Sequence, residues 1–127
     1  MIEVAVQGAT LKETITPPTP SVSSKKIESI PSNTNKAEGK GIFCGDIVCN
    51  YILTPPTGFD TPSTLSVILT ISPTAKKYKA DNKYVIRKGD MSTIGNWSFS
   101  NSISGATMAG TISCEIDDPG QKKVKSN

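Results

Sequence analysis

Proline and glycine interrupt this chain so often that no stretch of it sustains a long helical period. Nine prolines and ten glycines are spread through 127 residues, and the runs between them are rich in Ile, Val and Thr. Branching at Cβ costs rotamer freedom in a helix and suits the pleated surface of a sheet. Leucine is scarce, occurring only as Leu11, Leu53, Leu65 and Leu69. The fold class predicted from this pattern is all-β, an assembly of short strands and hairpins. With 35% hydrophobic and 20% charged residues, the chain can bury a core without staples, as a single domain over residues 1–127.

The longest apolar run is Leu65–Ile71, and Tyr84–Arg87 follows as a second alternating run. Between them Ala80-Asp81-Asn82-Lys83 reads as a hairpin turn, because Asp and Asn tolerate left-handed backbone. Leu65–Arg87 is therefore expected to be the central hairpin, with shorter strands laid against it. Ile2, Val4 and Val6 alternate with Glu3 and Ala5 as a half-buried strand ending at Gly8, with Ala9–Ile15 as its hairpin partner. Residues 16–38 are rich in Pro, Ser and Lys, and Pro17, Pro18 and Pro20 lack the amide proton that a ladder needs. This segment reads as a surface loop or an extended arm. Ile42–Leu53 reads as two short strands broken at Gly45-Asp46. Phe99 and Ile103 anchor the Ser- and Gly-rich stretch after Trp97, and Thr111–Ile116 is a strand with Ile112, Cys114 and Ile116 on one face. Asp117–Gly120 makes a turn, and the basic end beyond it is expected to fray. Proline breaks after Ile15, Leu53 and Ile71 echo one another, but too unevenly for a repeat array.

The chain contains no histidine. That removes the usual general base near neutral pH and excludes Ser–His and Cys–His nucleophilic machinery, so no enzyme is expected. The net charge of +3 is too mild to demand a nucleic-acid partner. Lysines from Lys76 to Lys88, with Tyr78 and Tyr84 among them, read as a solvated face guarding an edge strand. Asp117 and Asp118 are adjacent and would point to opposite faces of a strand, so they do not form a catalytic pair. No apolar signal segment follows Met1, and three cysteines fit a reducing compartment, so folding in the cytosol is expected. Cys44, Cys49 and Cys114 admit three readings: inert buried hydrophobes, a disulfide between two of them, or thiolate ligands for one zinc or iron ion.

Val6-Gln7-Gly8-Ala9-Thr10-Leu11, Val85-Ile86-Arg87-Lys88-Gly89-Asp90 and Ile116-Asp117-Asp118-Pro119-Gly120-Gln121, in that order, resemble PAAR-like proteins. These are the small β-structured tips of contractile injection machines such as type VI secretion systems and phage-tail-like particles. The resemblance leaves out residues 16–38. It also departs from the family in lacking a Pro-Ala-Ala-Arg repeat, the metal-binding histidines, and a cysteine where Lys12-Glu13 stand. It implies a cone-like domain that caps the blunt end of a trimeric β-helical spike, one copy per trimer, through roughly threefold faces. Ile2, Val4, Val6, Ile112 and Ile116 would belong to its core or its spike-facing base, and only Cys44, Cys49 and Cys114 remain to hold a metal. Such a tip is assembled in the cytoplasm, leaves as part of a particle, touches the target membrane only in passing and can dock effector cargo. The competing expectation is a free-standing β-sandwich module that binds carbohydrate or protein through Trp97, Tyr78 and Phe99. A third, an enzyme with a cysteine nucleophile, would need an unusual base.

Overall fold

Strict alternation of buried and half-buried residues along Ile47–Thr54, with Cys49, Tyr51 and Leu53 facing inward, sets the pattern for the whole molecule. The computed structural model describes residues 1–127, and the chain is all-β with no helix. Its strands are β1 (Ile2–Glu3), β2 (Leu11–Thr16), β3 (Ser21–Ile27), β4 (Lys36–Ala37), β5 (Lys40–Gly41) and β6 (Ile47–Thr54). They continue with β7 (Leu65–Ile71), β8 (Lys79–Ala80), β9 (Lys83–Tyr84), β10 (Gly95–Ser100), β11 (Thr107–Ile116) and β12 (Lys125–Ser126). The six long strands make two antiparallel sheets, ordered β10-β11-β2 and β3-β6-β7. The six short ones pair as β1·β12, β4·β5 and β8·β9.

The inner faces of the two sheets share one core, in which Tyr51, Leu53, Leu69, Trp97, Phe99 and Ile112 are sealed from solvent. Full burial of each such side chain contributes about 1.5–3 kcal/mol. The sheets meet along β7 and β10. Ser92 bridges to Ile71, and Met91 bridges to Glu115, so the segment entering β10 touches both sheets. Gly95 permits this approach: a Cβ there would lie 2.8 Å from Leu69 Cδ2 and 2.9 Å from Val67 Cγ1.

Several expectations change at this level. Leu65–Ile71 does not form a hairpin with Tyr84–Arg87; it pairs with β6 along its whole length. The Asp81-Asn82 turn is present, but it joins the two-residue strands β8 and β9. The first strand pairs with β12 rather than with Ala9–Ile15, and β2 instead takes β11 as its partner. The basic end is therefore paired rather than frayed, with Ser126 only 3% exposed. Residues 16–38 are not a loop throughout, since β3 runs through them along β6 with a bulge at Ser23. Its signal was masked because an edge strand packs few side chains inward, here Val22 and Ile27, and carries Ser and Lys elsewhere. Phe99 is a core residue, whereas Ile103 is 95% exposed at the tip of a turn.

That turn is held by Asp60. Its carboxylate accepts hydrogen bonds from the Ser102 amide (2.8 Å) and hydroxyl (2.6 Å). These bonds to Ser102 hold the Asp60 carboxyl below its ordinary value of 3.8. A folded value lowered in this way contributes stability above pH 3.8, which is lost as pH falls through the folded value. Asp60→Asn is expected to flatten the acid limb of a urea-midpoint-against-pH curve by lowering the midpoint near neutrality, the two proteins converging at low pH where Asp60 is protonated.

Candidate functional site

Three short segments, Val4-Ala5-Val6, Ile42-Phe43-Cys44 and Val85-Ile86-Arg87, each lead out of a two-stranded pairing and toward a long strand. Each bridges both of the others, through Val4↔Arg87, Val6↔Ile42 and Cys44↔Val85. Their middle residues close a ring of hydrogen bonds. The Ala5 amide donates to the Ile86 carbonyl (2.8 Å), the Ile86 amide to the Phe43 carbonyl (2.9 Å), and the Phe43 amide to the Ala5 carbonyl (3.0 Å). In a strand the N–H and C=O of one residue point to the same side, so all three segments turn that side toward a common centre. The order of the parts repeats threefold: short pairing, ring segment, outgoing long strand, returning long strand. The outgoing strands are β2, β6 and β10, and the returning ones are β3, β7 and β11.

Around the ring the short pairings also correspond. Each of β4, β8 and β12 opens with an exposed lysine, Lys36, Lys79 or Lys125, followed by a small buried residue, Ala37, Ala80 or Ser126. Two of the pairings are hairpins whose turn residues all have positive φ: Glu38 (51°) and Gly39 (78°), Asp81 (49°) and Asn82 (62°). Such turns match the twist of the strands they join. In the third pairing, β12 and β1, the chain ends stand where the turns would be. The outer edges of the ring are satisfied by the segments that follow Pro31, Pro73 and the Asp118-Pro119 bond. Val4 donates to Val124 and Val6 to Pro119, Ile42 donates to Asn35, and Val85 donates to Tyr78. Gln121, 4% exposed, fastens one of these segments by donating to the carbonyls of Val4 (2.8 Å) and Val124 (2.7 Å).

One buried polar knot ties two of the three units together. Asp90 is 3% exposed and accepts from the Arg87 amide (2.9 Å), the Thr74 amide (3.4 Å) and the Thr74 hydroxyl. The Arg87 guanidinium donates in turn to Thr74 Oγ1 (2.8 Å) and to the Ser126 carbonyl (3.1 Å), which anchors β12. Arg87 Nε is buried without a partner.

Charge is distributed unevenly along this architecture. Residues 1–8, 31–45, 73–90 and 117–127, which build the ring and its surround, hold eleven of the fourteen Lys and Arg residues but only six of the eleven acids. The positive excess of the chain therefore sits there. The largest depression, about 570 Å³, also lies there, between Gly8, Glu38, Lys40, Asp118 and Lys122, with no hydrophobic residue in its wall. Pockets for small organic ligands are mostly apolar, so this one is of a different kind.

Of the residues singled out in the sequence, Val4, Val6, Ile112 and Ile116 are core, each at most 1% exposed, and none is available to a partner. Ile2 alone is exposed, at 39%. The three cysteines do not converge. Cys44 packs beside the ring cluster of Val4, Val6 and Ile42, while Cys49 and Cys114 lie in the core between the sheets. No group of three or more His, Cys, Asp or Glu side chains is placed to hold a metal, so the donor set predicted from Cys44, Cys49 and Cys114 is not assembled. Burial and the Asp81 carboxylate raise the Cys44 thiol, and contact with the Cys114 thiol together with burial raises Cys49. Neither is a ready thiolate. Trp97 and Phe99 are 2% and 1% exposed, so of the aromatic surface expected for a sandwich module only Tyr78, half-buried, reaches solvent.

Sequence reasoning missed the ring. Its signal was present: Lys76-Lys77-Tyr78-Lys79-Ala80 and Lys122-Lys123-Val124-Lys125-Ser126 match closely, and Asn35-Lys36-Ala37 is a shortened third copy. The proline echo at Ile15, Leu53 and Ile71 does not track the ring, since Ile71 ends a returning strand and the other two lie on outgoing ones. Comparison with known proteins finds no matching family model, curated protein or solved structure.

Proposed function

We propose that this protein is a structural cap, seated by its ring end on the blunt end of a trimeric β-helical spike of a contractile injection system. The observation that carries the reading is the cyclic hydrogen bonding of Ala5, Ile86 and Phe43, which gives one chain an approximate threefold end. A monomer can close a three-chain shaft only if it offers three comparable faces. The three short pairings around the ring support this, since their edges can continue the open edges of a spike that would otherwise expose unpaired backbone. The outer ends of the long strands, with their proline turns, form the rigid forward part in this reading. Cargo, where it is carried, is held by surfaces away from the ring.

The test is co-expression with a trimeric β-helical spike protein, followed by size-exclusion chromatography with light scattering. One copy per trimer is the expected stoichiometry. The triple substitution Lys36→Glu, Lys79→Glu, Lys125→Glu should weaken the complex by about tenfold or more and change its salt dependence, because it reverses charge at three corresponding sites. Absence of any complex, or three copies per trimer, would overturn the assignment.

A further inference from the structure

The central strands of the two sheets, β6 and β11, face each other across the core, and each turns a cysteine inward. Cys49 alternates with Ile47, Tyr51 and Leu53 on the buried face of β6. Cys114 stands between Ile112 and Ile116 on the buried face of β11. Both are free thiols sealed from solvent.

Links on either side bring the two together. Tyr51, the next inward residue after Cys49, donates its hydroxyl to the Glu13 carboxylate at 3.4 Å, and Glu13 stands opposite Cys114 in the β2·β11 ladder. Ile47, the inward residue before Cys49, pairs with Ile71, which bridges to Ser92. The Ser92 amide donates to the Cys114 carbonyl (2.7 Å), and the Ser92 hydroxyl accepts from the Cys114 amide (2.9 Å). Between these links the Cys49 thiol donates to the Cys114 sulfur. That bond, with the Ser92 and Tyr51 hydroxyls beside it, lowers the Cys114 thiol below its ordinary value of 9.0, while burial opposes the shift. Cys114 is the sulfur of the pair that ionises first.

The pair is buried but not remote. Over it β2 and β3 are not bonded to each other, and the opening is spanned by the ion pair of Lys25 and Glu13 (2.9 Å), whose side chains are 41% and 27% exposed. Ile27, in register with Cys49, lines a cavity of about 150 Å³ there, with Leu11 of β2 also in its wall. Hydrogen peroxide is little larger than water, which occupies about 30 Å³ in the liquid, so the cavity admits it.

We propose that Cys49 and Cys114 are a redox pair that a peroxide closes into a disulfide, locking the two sheets together through their central strands. Cys114 gives up its proton and its sulfur attacks one peroxide oxygen. The O–O bond breaks, and the departing hydroxide takes up that proton as water, leaving Cys114 as the sulfenic acid. The Cys49 sulfur then attacks the Cys114 sulfur, the S–O bond breaks, and hydroxide leaves with the Cys49 proton as a second water. Two thiols have lost two electrons, and one peroxide has become two waters. Because the thiols already touch, closing the bond to about 2.05 Å asks only for a small approach of the strands. Neither cysteine belongs to the ring, so the pair stands whether or not the ring seats on a spike.

The experiment treats the reduced full chain with a small excess of hydrogen peroxide and counts thiols in denaturant. The count should fall from three to one, and dithiothreitol should restore it. The oxidised chain should melt roughly 5–15 °C higher, because the bond closes a long loop, and the rise should vanish on reduction. Methionine oxidation is not reversed by dithiothreitol and does not mimic this. Cys44 and Cys49 share one tryptic peptide, with no Lys or Arg from Gly41 to Ala75, so the bond is mapped in Cys44→Ser. There the peptides holding Cys49 and Cys114 should come off as one. Cys49→Ala should lose the rise and take up dimedone at Cys114. The proposal is overturned if the folded wild-type chain keeps all three thiols while the unfolded chain loses them. A bond to Cys44 or to a second copy, loss of thiols without linked peptides, or a lower melting temperature on oxidation would each overturn it as well.

Discussion

Trp97→Ala is expected to lower stability by about 3–5 kcal/mol, the range seen when a large aromatic is removed from a packed core. Trp97 is 2% exposed, lies 6.0 Å from Phe99 between ring centroids, and donates its indole N–H to the Thr111 carbonyl at 3.1 Å. Alanine leaves a cavity between β10 and β11 and a carbonyl without its partner. The backbone cannot collapse to fill the space, because Gly110 already brings β11 against the indole. A Cβ at Gly110 would sit 2.6 Å from the Trp97 ring and 2.1 Å from the Thr16 carbonyl. The melting temperature should fall by roughly 10–20 °C for a domain of this size. Trp97→Phe, which keeps most of the volume and loses the hydrogen bond, should fall between the two. A Trp97→Ala protein melting within a few degrees of wild type would show that the sheets do not pack as described.

Asp90→Ala is expected to cost a similar amount, about 3–5 kcal/mol, for an electrostatic reason. The Asp90 carboxylate satisfies the Arg87 amide and both donors of Thr74, and the Arg87 guanidinium lies one hydroxyl away. Without it, a buried amide and a partly buried cation lose their negative partner. Asp90→Asn keeps the shape but not the charge, and should cost less. The damage should be directional. Arg87 also holds the Ser126 carbonyl, so hydrogen exchange should accelerate in β12 and β1 before it does in β6 and β7. Uniform acceleration across both sheets would mean that this knot does not secure the ring.

These two residues show what could be read in the sequence and what could not. The strand at Ile47–Thr54 and the shared face of Ile112, Cys114 and Ile116 were legible because alternation with period two survives wherever one face is buried. The Asp81-Asn82 turn was legible because its residue types suit positive φ. Partner choice was not legible. Leu65–Ile71 carries the same pattern whether it pairs with Tyr84–Arg87 or with β6, and the pattern does not name its neighbour. β3 was hidden because an edge strand of Ser and Lys resembles a loop in composition. The ring was hidden because its segments are three residues long, too short for any periodicity to register, and because one of its three short pairings joins the two ends of the chain.

By itself the sequence determined the class of structure. Proline and glycine at short intervals deny a helix its hydrogen-bond run, and β-branched residues between them favour the pleat. It also removed histidine chemistry outright. Tertiary structure alone decided that Cys44 stands apart from Cys49 and Cys114, that Trp97 is core, that eleven cations gather round a threefold ring, and that β2 and β3 are left unpaired. The reason is that main-chain hydrogen bonds, which join strands far apart in the chain, are the same for every residue type. They leave their mark on the fold and almost none on the order of the side chains.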